Sequence, residues 1–167
     1  MIKRERNFHP NKTYKIHAFH SNLFHACLSV FERDYFTESL IRNYFDFEEI
    51  SEIERYNKAE LFEMMVLNLS RNKDIILRSN SLYNNSRIIE MEKIYLEQRK
   101  EQSDRNWRIF FNVRISKKTK ELVETLSEDT ETIGEVTEMA IMYFITICSK
   151  QCFEIIKFSF ISHVSAE

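Results

Sequence analysis

Trp107-Arg108-Ile109-Phe110-Phe111-Asn112-Val113-Arg114-Ile115-Ser116 is the stretch that decides how the rest of the chain is read. Its odd positions, Trp107, Ile109, Phe111, Val113 and Ile115, are all apolar. Its even positions, Arg108, Phe110, Asn112, Arg114 and Ser116, are polar apart from Phe110. Strict alternation predicts a strand with one buried and one exposed face. A lone strand cannot satisfy its own backbone N–H and C=O groups, so it needs a partner strand. No second strand is obvious nearby. The partner is therefore expected from another copy of the chain or from a distant segment.

The surrounding composition favours helices. Gly and Pro occur once each in 167 residues, where average usage would give roughly twelve and eight. Seven Tyr, fourteen Phe and 43% hydrophobic residues are enough for a core. No apolar run reaches the ~18 residues that span a bilayer, and Met1-Ile2-Lys3-Arg4-Glu5-Arg6 has no apolar signal core. Three cysteines suit a reducing compartment better than a disulfide framework. The expectation is a soluble cytoplasmic protein without membrane association.

The net charge of −2 hides strong segregation. Residues 105–120 carry Arg105, Arg108, Arg114, Lys117, Lys118 and Lys120 and no acid, while residues 121–138 carry Glu121, Glu124, Glu128, Asp129, Glu131, Glu135 and Glu138 and no base. A polyanion meets the local potential, so a neutral pI does not exclude nucleic acid. The acidic block reads as a solvated face. The basic block coincides with the alternating strand.

After the strand, Leu122, Val123 and Leu126 form a one-sided helical stripe, with Ser116 as a candidate N-cap. Polar residues from Ser127 to Thr132 predict a turn, and Thr132 is placed to cap a second helix with Gly134 in its first turn. Val136, Ala140, Phe144 and Ile147 give that helix its stripe, and Met139, Ile141, Met142 and Tyr143 make its other sides apolar too. A helix apolar all round is buried on several faces, which predicts a subunit interface and at least a dimer.

Strand, short helix, turn and second helix over Arg105 to Lys150 resemble the ribbon-helix-helix family of DNA-binding proteins, the Arc and Met repressor superfamily. Phe111-Asn112-Val113-Arg114-Ile115 is similar to that family's reading strand, and Glu135-Val136-Thr137-Glu138-Met139-Ala140 to the start of its second helix. The resemblance implies a mainly α fold with a short antiparallel β-ribbon that enters the major groove. It places Arg108, Phe110, Asn112 and Arg114 toward base edges, and Thr132, Ile133, Gly134 and Glu135 around a phosphate at a helix N-terminus. Phe110 departs from the pattern, which usually has a polar side chain there. The chemistry suits such a role: Arg donates twice to guanine and Asn pairs bidentately with adenine. Lys117 and Lys118 would hold phosphates, which sets register rather than sequence.

The N-terminal segment carries a second alternation, in which Thr13, Lys15 and His17 interleave with Tyr14, Ile16 and Ala18. A helical run follows with Phe24, Leu28 and Phe31, and another is predicted to start near Thr37-Glu38 with Leu40, Ile41, Tyr44 and Phe45. Residues 1–47 thus resemble a degenerate second unit, whose strand is a candidate second DNA strand of the ribbon. Residues 48–103 read as a helical connector or oligomerisation segment, 104–150 as the ribbon-helix-helix domain and 151–167 as a C-terminal apolar tail. His17, His20, His25 and Cys27 lie close in sequence but lack the geometry of a metal site, so neither metal nor cofactor is expected. A single Gly excludes a phosphate-binding glycine loop, and no catalytic motif is present, so the chain is not read as an enzyme.

These expectations converge on sequence-specific binding of double-stranded DNA. The roles they suggest are a transcriptional repressor or a plasmid accessory protein in a relaxosome or partition complex, with a relaxase or similar mobile-element protein among its partners. The alternative is a helical adaptor whose strand adds to the edge of a protein partner.

Overall fold

The structure, a computed structural model, describes residues 12–33, 58–72, 74, 79–98, 108–113, 115, 117–128 and 132–165. It is mainly helical, with one two-stranded antiparallel sheet. The elements run β1 (Lys12–His17), α1 (Ala18–Arg33), α2 (Lys58–Ser70), α3 (Ser79–Tyr83), α4 (Ser86–Gln98), β2 (Arg108–Val113), α5 (Lys117–Ser127), α6 (Ile133–Ile147) and α7 (Lys150–Ser165). The helix expected near Thr37 falls outside the described residues, as do Trp107, Arg114 and Ser116.

The partner of the alternating strand comes from the same chain. β1 and β2 pair antiparallel in the register Tyr14 to Phe111, Lys15 to Phe110 and Ile16 to Ile109, closing with Lys12 to Val113, Thr13 to Asn112 and His17 to Arg108. The period-2 pattern then decides which side is buried: Ile16, Phe111 and Val113 are buried and Tyr14 and Ile109 half-buried. Phe111 anchors the ribbon to the helices. Its ring meets Phe24 of α1 edge-on at 4.9 Å, Phe62 of α2 lies 5.8 Å away, and Lys58 Nζ sits 4.7 Å from its centroid.

Below the ribbon, α6 is the central helix. Every residue from Gly134 to Ile145 is buried except Glu135. Its cover comes from within the chain, from α2, β1, α5, α3, α1 and α4. The all-round apolarity that suggests a subunit interface is thus met by intramolecular packing. Leu61, Phe62, Met65, Val66 and Leu69 of α2 belong to the same hydrophobic core as the ribbon. This described part of the segment read as a connector therefore belongs to the core. α7 packs along α1, burying Cys152, Phe153, Ile156, Phe160 and Val164, so the apolar tail is a full helix.

Local chemistry sets the ends of α6. At its start the Thr132 side chain accepts from the Glu135 N–H at 3.0 Å, the N-cap that the turn residues predict. At its end, Arg87 of α4 donates from Nη1 to the carbonyls of Ile145 (3.0 Å) and Cys148 (2.6 Å), adding charged donors to carbonyls at the helix end. The guanidinium also lies over the Phe153 ring at 4.9 Å, tying α4 to α7. Among the described residues, no helix is long and apolar enough to cross a membrane.

Candidate nucleic-acid interface and the histidine–glutamate junction

The outer face of the ribbon carries Lys15 and Asn112, both exposed, and Phe110, which is 70% exposed. Lys15 and Phe110 are cross-strand partners, and Asn112 stands opposite Thr13. Arg108 holds its place in β2 opposite His17, with its side chain outside the description, as is that of Thr13. Most of the residues assigned to one face by alternation are therefore together, contributed by two strands more than ninety residues apart in sequence. Lys117 and Lys118 are exposed in the first turn of α5, just after the ribbon.

The start of α6 is arranged differently from a free anion site. Thr132 and Ile133 are exposed, but the Glu135 amide is occupied by the Thr132 hydroxyl. Gly134 is buried against β1, where a Cβ would stand 2.4 Å from the Lys15 carbonyl oxygen. The only glycine in the chain thus serves a close approach of helix to strand. Of the four residues expected around a phosphate, Glu135 has its N–H bonded to the Thr132 hydroxyl and Gly134 is buried against β1.

His17 departs from the alternation for a physical reason. It ends β1 on the outer face but is half-buried, because Glu138 of α6 draws it inward. Glu138 Oε2 accepts from the His17 backbone N–H at 2.9 Å and contacts His17 Nδ1. His20, in the first turn of α1, brings its Nδ1 to 2.8 Å from the same oxygen. That is ion-pair distance, yet neither ring nitrogen of His20 makes a hydrogen bond of normal geometry. Burial pushes the Glu138 carboxyl up; the two imidazoles, His20 ahead of His17, and the His17 amide outweigh it and hold the carboxyl at about 2. Glu138 is thus a charged carboxylate inside the core at neutral pH.

Both histidines open onto a cleft of about 300 Å³, walled also by Phe19, Tyr83, Glu92, Tyr95 and Leu96. His25 and Cys27, their neighbours in sequence, go elsewhere. His25 stacks on His163 of α7 at 6.2 Å, and Cys27 is buried among apolar residues. Sequence reading missed Glu138. The trace it leaves is a lone acid inside the apolar run Val136–Ile147, paired with a His-x-x-His spacing at the strand-to-helix junction. Cys148 and Cys152 are buried on either side of the α6–α7 junction, as small core residues would be. In comparisons with known proteins, no family model, no curated protein and no solved structure matches the chain.

Proposed function

We propose that this protein binds double-stranded DNA, laying the outer face of its β-ribbon in the major groove. One observation carries the reading: a two-stranded antiparallel ribbon, rooted by Phe111 and Ile16, that turns Lys15, Phe110 and Asn112 to solvent. Two strands are the width that a major groove admits. Asn112 has the amide that pairs with adenine, Phe110 the apolar surface that suits a thymine methyl, and Lys15 a donor for guanine or phosphate. Lys117 and Lys118 flank the ribbon as phosphate contacts, which fix register. The biological setting is a repressor or a plasmid accessory protein, by analogy with the ribbon-helix-helix family alone.

A homodimeric ribbon shows the same residues twice and reads a two-fold site. Here the two strands differ, Thr13, Lys15 and His17 on one and Arg108, Phe110 and Asn112 on the other. The preferred site of one chain is therefore asymmetric. Selection from a random duplex pool, followed by binding to the enriched site across a salt series, tests the reading. The expected result is an asymmetric motif whose affinity falls steeply with salt, by about one logarithmic unit of slope per phosphate neutralised. Absence of enrichment overturns DNA reading; binding to a protein partner with little salt dependence would favour edge addition instead.

A further inference from the structure

We propose that His17, His20 and Glu138 form a binding site for a first-row divalent metal ion, with Zn²⁺ the best fit, where β1, α1 and α6 meet. The site shares His17 with the end of the ribbon, but metal uptake is read separately from DNA binding, so the two can fail independently. Its donor atoms all lie within 4.8 Å of one another. Two imidazole nitrogens and a carboxylate oxygen are the borderline set that zinc and its neighbours in the first transition row accept, and a His₂Glu trio leaves one position open. The trio is held by the fold rather than by a loop: His17 closes a strand, His20 lies in the helix that continues it, and Glu138 is fixed in the central helix.

Two features set the cluster apart from an ordinary buried hydrogen-bond network. First, one carboxylate oxygen receives a backbone N–H and two imidazole nitrogens, which crowds three groups onto Oε2. Second, His20 is 2% exposed, its Nε2 has no hydrogen-bond partner, and its Nδ1 meets Glu138 Oε2 at 2.8 Å outside hydrogen-bond geometry. A cation bound through Nδ1 would replace that poorly directed contact with a directional bond to the imidazole lone pair. In a tetrahedral zinc site, with bonds near 2.1 Å, neighbouring donors stand about 3.4 Å apart. His20 Nδ1 and Glu138 Oε2 are 2.8 Å apart and must open by roughly 0.6 Å, and His17 Nδ1, closer still to Oε2, must move farther, both through side-chain rotations. The cleft that both histidines line supplies the fourth position, for water or a small ligand, with Glu92 and Tyr83 in its wall. The three thiols are not part of this set, so sulfur is not expected in the coordination shell.

The test uses the full chain, stripped with a chelator and titrated with ZnCl₂ by calorimetry and by competition with a chromophoric chelator. One equivalent per chain is expected. Glu138→Gln and His20→Gln should each weaken it by at least about 100-fold, the upper end of what loss of a mere outer-shell partner does. No uptake, or equal uptake by wild type and both variants, would overturn the site. X-ray absorption of zinc-loaded wild-type protein decides the matter even where a variant fails to fold. Two imidazoles and a carboxylate oxygen support the proposal; sulfur ligation, or a shell without imidazole, sinks it.

Discussion

Replacing Gly134 with Ala should destabilise the protein, against the usual effect of that change in a helix. In an ordinary helical position the substitution gains up to about 1 kcal/mol, because glycine is the poorer helix former. At Gly134 the added methyl would stand 2.4 Å from the Lys15 carbonyl oxygen, 3.4 Å from its carbon and 3.8 Å from Ile16 Cγ2. Helix and strand must separate by about 0.6 Å to reach even a tight 3.0 Å contact, and by about 1 Å for an ordinary 3.4 Å contact. The two nearest obstacles, the Lys15 carbonyl oxygen and carbon, are backbone. Lys15 lies in the middle of β1, paired with Phe110 and held nearby through the bonds of His17 to Glu138. Overpacking of this kind costs about 1–3 kcal/mol, and each ribbon hydrogen bond that is stretched adds roughly 1 kcal/mol. The net expectation is a loss of about 1–3 kcal/mol, a large share of a typical domain's stability. Urea unfolding followed by far-UV circular dichroism should show a lower midpoint with an unchanged slope. A midpoint equal to or above wild type would refute the close approach of α6 to β1, and with it the account of why the only glycine sits there.

The alternation makes a paired prediction: Asn112→Ala should cost about 1–3 kcal/mol on the preferred DNA site and relax specificity at one position, whereas Lys118→Ala should weaken all sequences alike and lower the salt slope by about one. Val113→Ala should leave DNA contacts in place and lower stability by about 2 kcal/mol, read from urea midpoints, since Val113 is buried. Thr132→Ala removes the acceptor of the Glu135 N–H and should cost about 1 kcal/mol by the same measurement, with Thr132→Ser close to wild type. Burial, with Lys58 and His163 adding, lowers His25 from 6.5 to about 4. The unfolded chain therefore takes up a proton that the folded chain refuses: stability is full above about pH 6.5 and falls as the pH drops toward about 4. His25→Gln should flatten that stretch of the stability–pH curve, and an unchanged slope would remove His25 as its source.

Much of the architecture was legible because period and burial are tightly linked. The alternation over 107–116 placed Phe111 and Val113 inside and Phe110 and Asn112 outside, and the shorter alternation over 13–18 offered a second strand in the same chain. Thr132 and the stripe Val136, Ala140, Phe144 and Ile147 predicted a capped, buried helix. Where the reading fell short, the cause was tertiary. An all-round apolar helix shows that it is covered but not by what; in α6 the cover includes α2 and its neighbours in the same chain. Glycine frees the backbone for any close approach, and the sequence at Gly134 does not say which group approaches. Here the approaching group is the Lys15 carbonyl.

His17 shows why a face assignment and a functional assignment can separate. Its position in β1 puts it on the outer side, level with Arg108, as period 2 requires. Its side chain nevertheless turns inward, because one carboxylate in the central helix attracts two imidazoles and a backbone N–H at once. A charge buried at Glu138 would cost several kcal/mol if left alone, so the junction must keep it partnered whenever α6 is in place. The ribbon is thus attached at two points of different character. In its middle Phe111 packs between Phe24 and Phe62, and at its end His17 is held electrostatically. The packed point is held by apolar burial, while the polar one is open to the cleft and to whatever ligand reaches it. Of the two attachments, the one at the ribbon's end is therefore the one that a ligand in the cleft can reach.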